Sequence, residues 1–250
     1  MTDILTHAPR PTVRSTGPSA VSLVGLEIRK SLSTRSGKAV ALAGVTVAPV
    51  ATALLSFTGE KLPEVVGPIG AMGLVTALVL IPLGVLATAG EWSHRTVQTT
   101  FLHVPSRSKV VGAKVAAVAL MGAVIAAVAI AASAAMLAIG PIGEPSWAGV
   151  PMAMAVAVGA GAAFAVIGAG VGAAMANTPA ALTTLYLTVL GGMPALRLIE
   201  PEIAAKLDPT DAVLQLAIGN GTTSNVLTLV GWVVVTTVIG TIVTRRRAVQ

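Results

Sequence analysis

Long apolar runs alternate with short polar segments along this chain, and the alternation predicts membrane-spanning helices. Five uncharged blocks occur, at 39–59, 65–90, 115–143, 145–196 and 212–244. A helix crosses the roughly 30 Å hydrocarbon core of a bilayer with about 20 consecutive apolar residues. Each of the first three blocks therefore predicts one span.

The fourth block is too long for a single span. As one helix, 145–196 would extend roughly 78 Å at about 1.5 Å per residue. Asn177 and Thr178 precede Pro179 in this block, and the residue before a proline avoids helical geometry. Because Pro also favours a first helical turn, two spans are expected, at 151–174 and 180–196.

The fifth block is interrupted by Gly219-Asn220-Gly221, which leaves a last span at 225–244. The predicted fold is therefore all-α and polytopic, with six spans in one transmembrane domain covering 19–250. These spans are 39–59, 65–90, 115–139, 151–174, 180–196 and 225–244. Residues 1–18 are polar and rich in Pro and Ser, which predicts a disordered tail.

Polar segments outside the spans also carry helix signals. Between the tail and the first span, Val21, Val24, Ile28 and Leu32 recur at helical spacing, which favours an amphipathic helix in the membrane interface over a polar leader with accidental periodicity.

A second pair of helix signals lies between the fifth and sixth spans. Pro201 follows Glu200, and Pro209 follows Asp208 with Asp211 close behind. An acid at the cap and a proline in the first turn are typical of helix starts. Two short helices are therefore expected in this loop, on the outer side of the membrane.

Charge decides the expected orientation. With six spans, the segments 1–38, 91–114 and 245–250 share one side and hold 13 of the 16 Lys and Arg residues. Short loops on the cytoplasmic side of membrane proteins are enriched in Lys and Arg. We therefore expect a multi-pass protein of the cell membrane with both termini in the cytoplasm.

Composition narrows the function classes further. The chain is 54% hydrophobic and 10% charged, with a net charge of +6 and no cysteine. Because the basic residues flank spans, their expected partner is the anionic lipid surface and not nucleic acid. The lack of cysteine excludes disulfides and thiolate metal sites.

Reactive chemistry is sparse where a membrane enzyme or carrier would need it. His7, His94 and His103 all lie outside the predicted spans, and those spans contain no charged residue of the kind that relays ions through a bilayer. No P-loop sequence occurs anywhere in the chain. We expect no enzyme activity and no cofactor on this chain, so the energy for any active transport would come from another subunit.

A stripe of small residues marks the fourth span. Gly161, Ala165, Gly168 and Gly172 fall on one helix face, a spacing that lets helices approach closely in lipid. The same stretch partly matches a dinucleotide-binding fingerprint, but that motif requires a preceding strand. Helix packing is the favoured interpretation.

The largest polar segment between two spans is 91–114. A helix continuing from the second span would present Glu91 and Arg95 to one side and Trp92 to the membrane, and Pro105 would end it. Arg107, near the start of the next helix, opposes the helix dipole there. The positive-inside rule explains this cation, and so would a partner surface.

This segment, "GEWSHRTVQTTFLHVPSRSKVVGAK", resembles the stretch that follows the second span in type-2 ABC transporter permeases. The matching positions are Glu91, Trp92, Thr96, Val97, Thr99, Leu102, Pro105, Arg107, Val110 and Lys114. The expected topology, with an interfacial N-terminal helix, six spans and short outer helices, is similar to that family as well.

The resemblance implies that 91–105 is a coupling helix seated on a separate ATPase subunit, which would bind ATP and Mg. Glu91 and Arg95 would then supply charged contacts to the ATPase, and Thr96 and Thr99 would help to hold the helix. Arg107 and Lys114 would anchor the start of the third span. A second permease copy, identical or homologous, would complete the path.

The function expected on this basis is export of a hydrophobic or amphipathic substrate. A non-transporting six-helix anchor or immunity subunit, which would bind a partner through the same segment, is the alternative. A passive channel or secondary carrier is disfavoured by the uncharged spans.

Overall fold

Helix follows helix through the computed structural model, which describes residues 19–59, 61–93 and 107–247, with the backbone alone at 93, 107 and 108. The predicted disordered tail lies outside the described residues. The helices are α1 (Ala20–Ser33), α2 (Arg35–Ser56), α3 (Val66–Ser93), α4 (Arg107–Ile139), α5 (Val150–Met175), α6 (Thr178–Tyr186), α7 (Met193–Ile199), α8 (Pro201–Leu207), α9 (Pro209–Ala217) and α10 (Thr223–Arg246).

Six helical segments are long and apolar enough to cross a membrane. They are α2, α3, α4, α5, the continuous segment Thr178–Ile199 and α10. The described residues contain no β-strand, only an isolated bridge between Glu64 and Ser146. The prediction of an all-α, six-span membrane protein is confirmed.

The helices extend past the predicted ends of several spans. α3 runs to Ser93, and α4 begins at Arg107, because backbone hydrogen bonding continues beyond the hydrocarbon boundary until a cap or a proline ends it. As a result Glu91 and Lys114, which the sequence placed just outside the spans, belong to the helices themselves.

The turn predicted before Pro179 is present. Ala176 adopts a left-handed conformation with φ 51°, and the Asn177 side chain accepts a hydrogen bond from the Ala180 N–H at 2.9 Å. The following segment is not uniformly α-helical, because Leu187–Gly192 forms a π-helical turn between α6 and α7. Nothing in the sequence indicated this turn.

The centre of the bundle is the pair α3 and α5, with α4 against both. The predicted small-residue stripe of α5 lies on these contacts and is buried. At Gly168 a Cβ atom would collide with the Ile81 carbonyl of α3, and at Gly161 it would lie 2.5 Å from the Ala126 Cβ of α4. Absent side chains at these points let the backbones approach closely.

Contacts between helix ends define the two sides of the bundle. On the terminal side, where both ends of the described chain lie, Arg247 donates to the Ala174 carbonyl at 3.0 Å. On the opposite loop side, the Leu62 N–H donates to the Ile142 carbonyl at 3.1 Å. This arrangement agrees with an even number of spans.

Helix α1 packs against the terminal side of the bundle. Leu23 is buried there, whereas Val21 and Leu32 stay exposed. The predicted N-terminal helix is therefore present, but its bundle-facing side carries Leu23, Glu27 and Lys30. Val21 and Leu32 of the predicted apolar stripe face outward, where a membrane interface would cover them, whereas Ile28 of the same stripe packs against the core.

Both predicted loop-side helices are present as α8 and α9. The Asp208 side chain caps α9 by accepting from the Thr210 and Asp211 N–H groups. The Trp232 indole donates to the Leu207 carbonyl at 2.8 Å, which fixes the end of α8 against α10.

Candidate functional site

Four charged side chains meet at the terminal side, between α1, α3 and α4. We call Glu27, Lys30, Glu91 and Lys114 the ion cluster. The Lys114 ammonium lies 2.5 Å from Glu91 Oε1 and 2.6 Å from Glu27 Oε2, and Lys30 also pairs with Glu91 Oε1. One lysine of α4 thus binds a carboxylate of α1 and a carboxylate of α3.

Local structure brings these groups together. Glu27 and Lys30 are three residues apart and share the bundle-facing side of α1. Thr34 separates α1 from α2 and caps α2 by accepting from the Gly37 N–H at 3.0 Å. A Cβ atom at Gly37 would collide with the Ser31 carbonyl, so glycine permits the close junction that holds α1 beneath the bundle.

Three members of the ion cluster are largely buried, whereas the Lys30 side chain is 41% exposed. Glu91 is 8% exposed and Lys114 is 6% exposed, and a buried charge is costly unless it is paired. The cluster contains two carboxylates and two ammonium groups, so its net charge is zero. Its members therefore depend on one another, and removing any one would leave an uncompensated charge.

Next to the ion cluster, Trp92 joins α3 to the C-terminal end of α10. The Arg247 guanidinium lies over the Trp92 ring, 5.1 Å from its centroid, a cation–π contact. Arg247 also donates to the Ala174 carbonyl of α5. Of two successive residues of α3, Glu91 therefore binds side chains of α1 and α4, and Trp92 contacts Arg247, which links it to α5 and the end of α10.

A hydrogen bond between membrane helices supports this end of the bundle. The Thr88 hydroxyl is 2.9 Å from the Ala169 carbonyl of α5 and donates to it. Hydroxyl bonds of this kind contribute about 0.6 kcal/mol on average between membrane helices.

A small cavity of about 40 Å³ lies between α3, α4, α5 and α10 beside the ion cluster. Its lining includes Glu91, Lys114, Thr237 and Thr244. The hydroxyls of Thr237 and Thr244 are buried and have no hydrogen-bond partner among the described residues. A volume of this size holds a few water molecules at roughly 10 to 15 Å³ each.

The structure describes only some of the residues predicted to couple the spans to an ATPase. Glu91 and Trp92 are described, and the backbone of Arg107 begins α4. Arg95, Thr96, Thr99 and Pro105 lie outside the described residues, so their predicted roles stay predictions.

The Glu91 carboxylate lies inside the bundle and binds Lys30 and Lys114, and its predicted contact with an ATPase subunit stays a prediction. Glu27 and Lys30 were not singled out as site residues. Their spacing on one face of a short helix was the available signal, but a sequence does not show which face meets the bundle.

A separate group of paired charges, Arg197 with Asp208 and Asp211, lies on the loop side. Arg197 at the end of α7 lies 3.2 Å from Asp208 and 3.0 Å from Asp211, and Asp208 is 3% exposed. The guanidinium thereby ties α7 to the start of α9.

Comparison of the chain with models of known protein families, and with curated proteins, found no match. The six long apolar helices indicate an all-α, multi-pass membrane protein.

Proposed function

We propose that this chain is the membrane-spanning permease subunit of an ABC transporter that exports a hydrophobic or amphipathic substrate. Its energy would come from a separate ATPase subunit docking on 91–114. The observation that carries the proposal is the contact between Glu91 and Lys114, the residues at the two ends of that segment, within 2.5 Å of each other.

A docking segment must pass force to the spans, and the ion cluster supplies a connection suited to this. Glu91 ends one side of the segment on α3, and Lys114 ends the other side on α4; both are bound to α1. A displacement of 94–106 by a partner would therefore act on α1, α3 and α4 together. Glu91 would then position these three helices, and its direct contact with the ATPase stays a prediction.

The distribution of charge also supports a subunit driven from outside. Among the described residues, the Asp, Glu, Lys and Arg side chains of the six spans lie near helix ends, as Glu91, Lys114 and Arg197 do. Proton- and ion-coupled carriers instead place such groups deep in the bundle. The termini, on the side rich in basic residues, would face the cytoplasm and the ATPase.

A second permease copy fits the uncovered face of the fifth span. Leu187, Leu190 and Leu198 of this segment are exposed, Leu198 to 89%. Two six-helix units meeting through such faces would enclose a path for an amphipathic molecule.

The proposal is tested by purifying the tagged chain from its native membranes in a mild detergent and measuring ATP hydrolysis in the eluate. We expect a copurifying ATPase whose subunit carries a P-loop. Deletion of 94–106 should abolish its recovery, whereas an alanine substitution of loop-side Asn220 should not change it.

Transport is then separated from anchoring by reconstituting the complex in liposomes. Stimulation of ATP hydrolysis by a lipid, peptide or drug supports the permease. A stable complex whose hydrolysis no such compound changes, and which moves none of them, supports the anchor or immunity subunit instead. Electrogenic flux from the chain alone would contradict both.

A further inference from the structure

A groove runs along the outer surface of α10 on the loop side of the bundle. It has a volume of about 440 Å³ and is lined mainly by apolar atoms of Leu227, Gly231, Trp232 and Val235. Gly231 matters to its shape, because no atom lies within 4 Å of the position that a Cβ would occupy. The missing side chain leaves the groove open at its middle.

Two hydrogen bonds hold the wall of this groove in place. The Thr228 hydroxyl donates to the Lys206 carbonyl at 2.7 Å, and the Trp232 indole donates to the Leu207 carbonyl at 2.8 Å. The end of α8 is thereby fastened along α10 over more than one helical turn. The groove is a feature of two joined helices and not a gap that side-chain motion alone would close.

A polar basin continues the groove toward the loop side. It has a volume of about 470 Å³, and its lining includes Glu202, Asp211 and Asn220. Lys206 and Ser224 line both the groove and the basin. The groove and the basin therefore adjoin at these two residues, and together, as a surface we call the track, they lead from apolar atoms to side chains of both signs of charge.

The dimensions of the track match one leaflet of a bilayer. Ser224 and Thr236 mark the ends of the groove on α10, and the twelve steps between them rise about 18 Å at 1.5 Å per residue. Half of the hydrocarbon core is about 15 Å thick. An acyl chain lying in the groove would place its headgroup at Lys206 and the basin.

The charges indicate which headgroup fits. Lys206 and Glu202 are both exposed. Among the described residues, no carboxylate lies within ion-pair distance of Lys206, and no basic group lies within ion-pair distance of Glu202. A phosphate suits the lysine, and a primary ammonium, which donates hydrogen bonds, suits the carboxylate. A purely anionic headgroup would meet the repulsion of Glu202.

We propose that this track binds one zwitterionic phospholipid of the loop-side leaflet, with an acyl chain along Gly231, its phosphate at Lys206 and its ammonium at Glu202. The site requires only that the protein spans a membrane, so it stands independently of the proposed transport function.

The test uses the full chain, purified in detergent and stripped of lipid. Native mass spectrometry measures the binding of phosphatidylethanolamine and phosphatidylglycerol with identical acyl chains. We expect one phosphatidylethanolamine per chain, bound about tenfold more tightly than phosphatidylglycerol. Gly231→Leu, which fills the groove, should weaken binding about tenfold, equivalent to about 1.4 kcal/mol.

Gly159→Leu is the matched control, because Gly159 on α5 also has open space around it and lies away from the track. Glu202→Gln should remove the preference for phosphatidylethanolamine, and Lys206→Gln should weaken both lipids. Equal loss in the two glycine variants, or equal affinity of the wild-type chain for both lipids, would show unspecific annular lipid and overturn the proposal.

A second measurement covers the case in which Gly231→Leu does not fold. The chain has three tryptophans. With Trp92 and Trp147 replaced by Phe, phosphatidylethanolamine brominated on its acyl chain should quench Trp232 fluorescence saturably at one lipid per chain. Quenching that rises linearly with lipid, without saturation, would contradict a defined site.

Discussion

Replacing Lys114 with methionine isolates the role of the ion cluster. Methionine keeps most of the volume of the side chain and removes its charge. The Lys114 ammonium binds two carboxylates, at 2.5 and 2.6 Å. Its loss takes away the ion-pair partner of Glu27, leaves Glu91 with Lys30, and gives the ion cluster a net charge of −1. Removal of one partner from a buried ion pair costs about 3 to 5 kcal/mol.

This cost can be measured as reduced thermal stability and compared within a mutant cycle. A change of 1 kcal/mol shifts the Tm by about 2 to 4 °C for a domain of this size, so Lys114→Met should lower it by about 6 to 20 °C. Glu91→Gln should cost about 1 to 3 kcal/mol, because Lys114 keeps Glu27. The double variant restores neutrality, because one carboxylate (Glu27) and one ammonium (Lys30) remain in the ion cluster, and it should be more stable than the sum of the single costs predicts.

The assay is unfolding in mixed micelles, followed by tryptophan fluorescence. Lys109→Met is the matched control, because Lys109 is exposed on the same helix and should change stability by no more than about 0.5 kcal/mol. If Lys114→Met lowers the Tm no more than Lys109→Met does, or if the effects of Lys114→Met and Glu91→Gln simply add, the ion cluster does not act as a unit.

Further predictions concern packing and capping elsewhere in the bundle. Thr88→Val should lower the free energy of unfolding by about 0.5 to 1.5 kcal/mol, because the Thr88 hydroxyl donates to α5. Thr244→Val should be neutral or stabilising, because the Thr244 hydroxyl has no partner among the described residues. A lower Tm for Thr244→Val than for Thr88→Val would contradict both expectations. Asp208→Ala should cost about 2 kcal/mol or more, since it removes both the cap of α9 and a buried ion-pair partner, and chemical denaturation that shows less than 0.5 kcal/mol would count against it. Gly168→Val should abolish folding or separate α3 from α5, because its Cβ would strike the Ile81 carbonyl, and a normal yield of monodisperse protein on size-exclusion chromatography would disprove the close contact.

Much of the fold follows from short-range features of the sequence. Apolar block length predicts the spans, Asn177 with Pro179 predicts the break between α5 and α6, and Asp208 predicts the start of α9. Each of these signals depends on backbone geometry and hydrogen bonding within a few residues, so a linear sequence contains them.

The ion cluster could not be predicted in the same way. Glu27 and Lys114 are 87 residues apart in the chain, and their contact depends on how α1 lies against the bundle. The predicted contact of Glu91 with an ATPase rests on the resemblance to type-2 ABC transporter permeases, and it stays a prediction. The π-helical turn after Tyr186 was equally invisible, since its six residues, Leu187–Gly192, have an ordinary span composition.

Residue-specific crosslinking shows whether an ATPase subunit docks on the segment 91–114. Because the chain has no cysteine, a Thr99→Cys variant carries a single reactive thiol, and an Asn220→Cys variant places one on the loop side. Treatment of native membranes with a short thiol-to-amine crosslinker, followed by mass spectrometry, identifies what each thiol meets. We expect Thr99→Cys to capture an ATPase subunit with a P-loop and Asn220→Cys not to do so. Equal capture by both variants, or by neither, would contradict the proposed docking of an ATPase on 91–114.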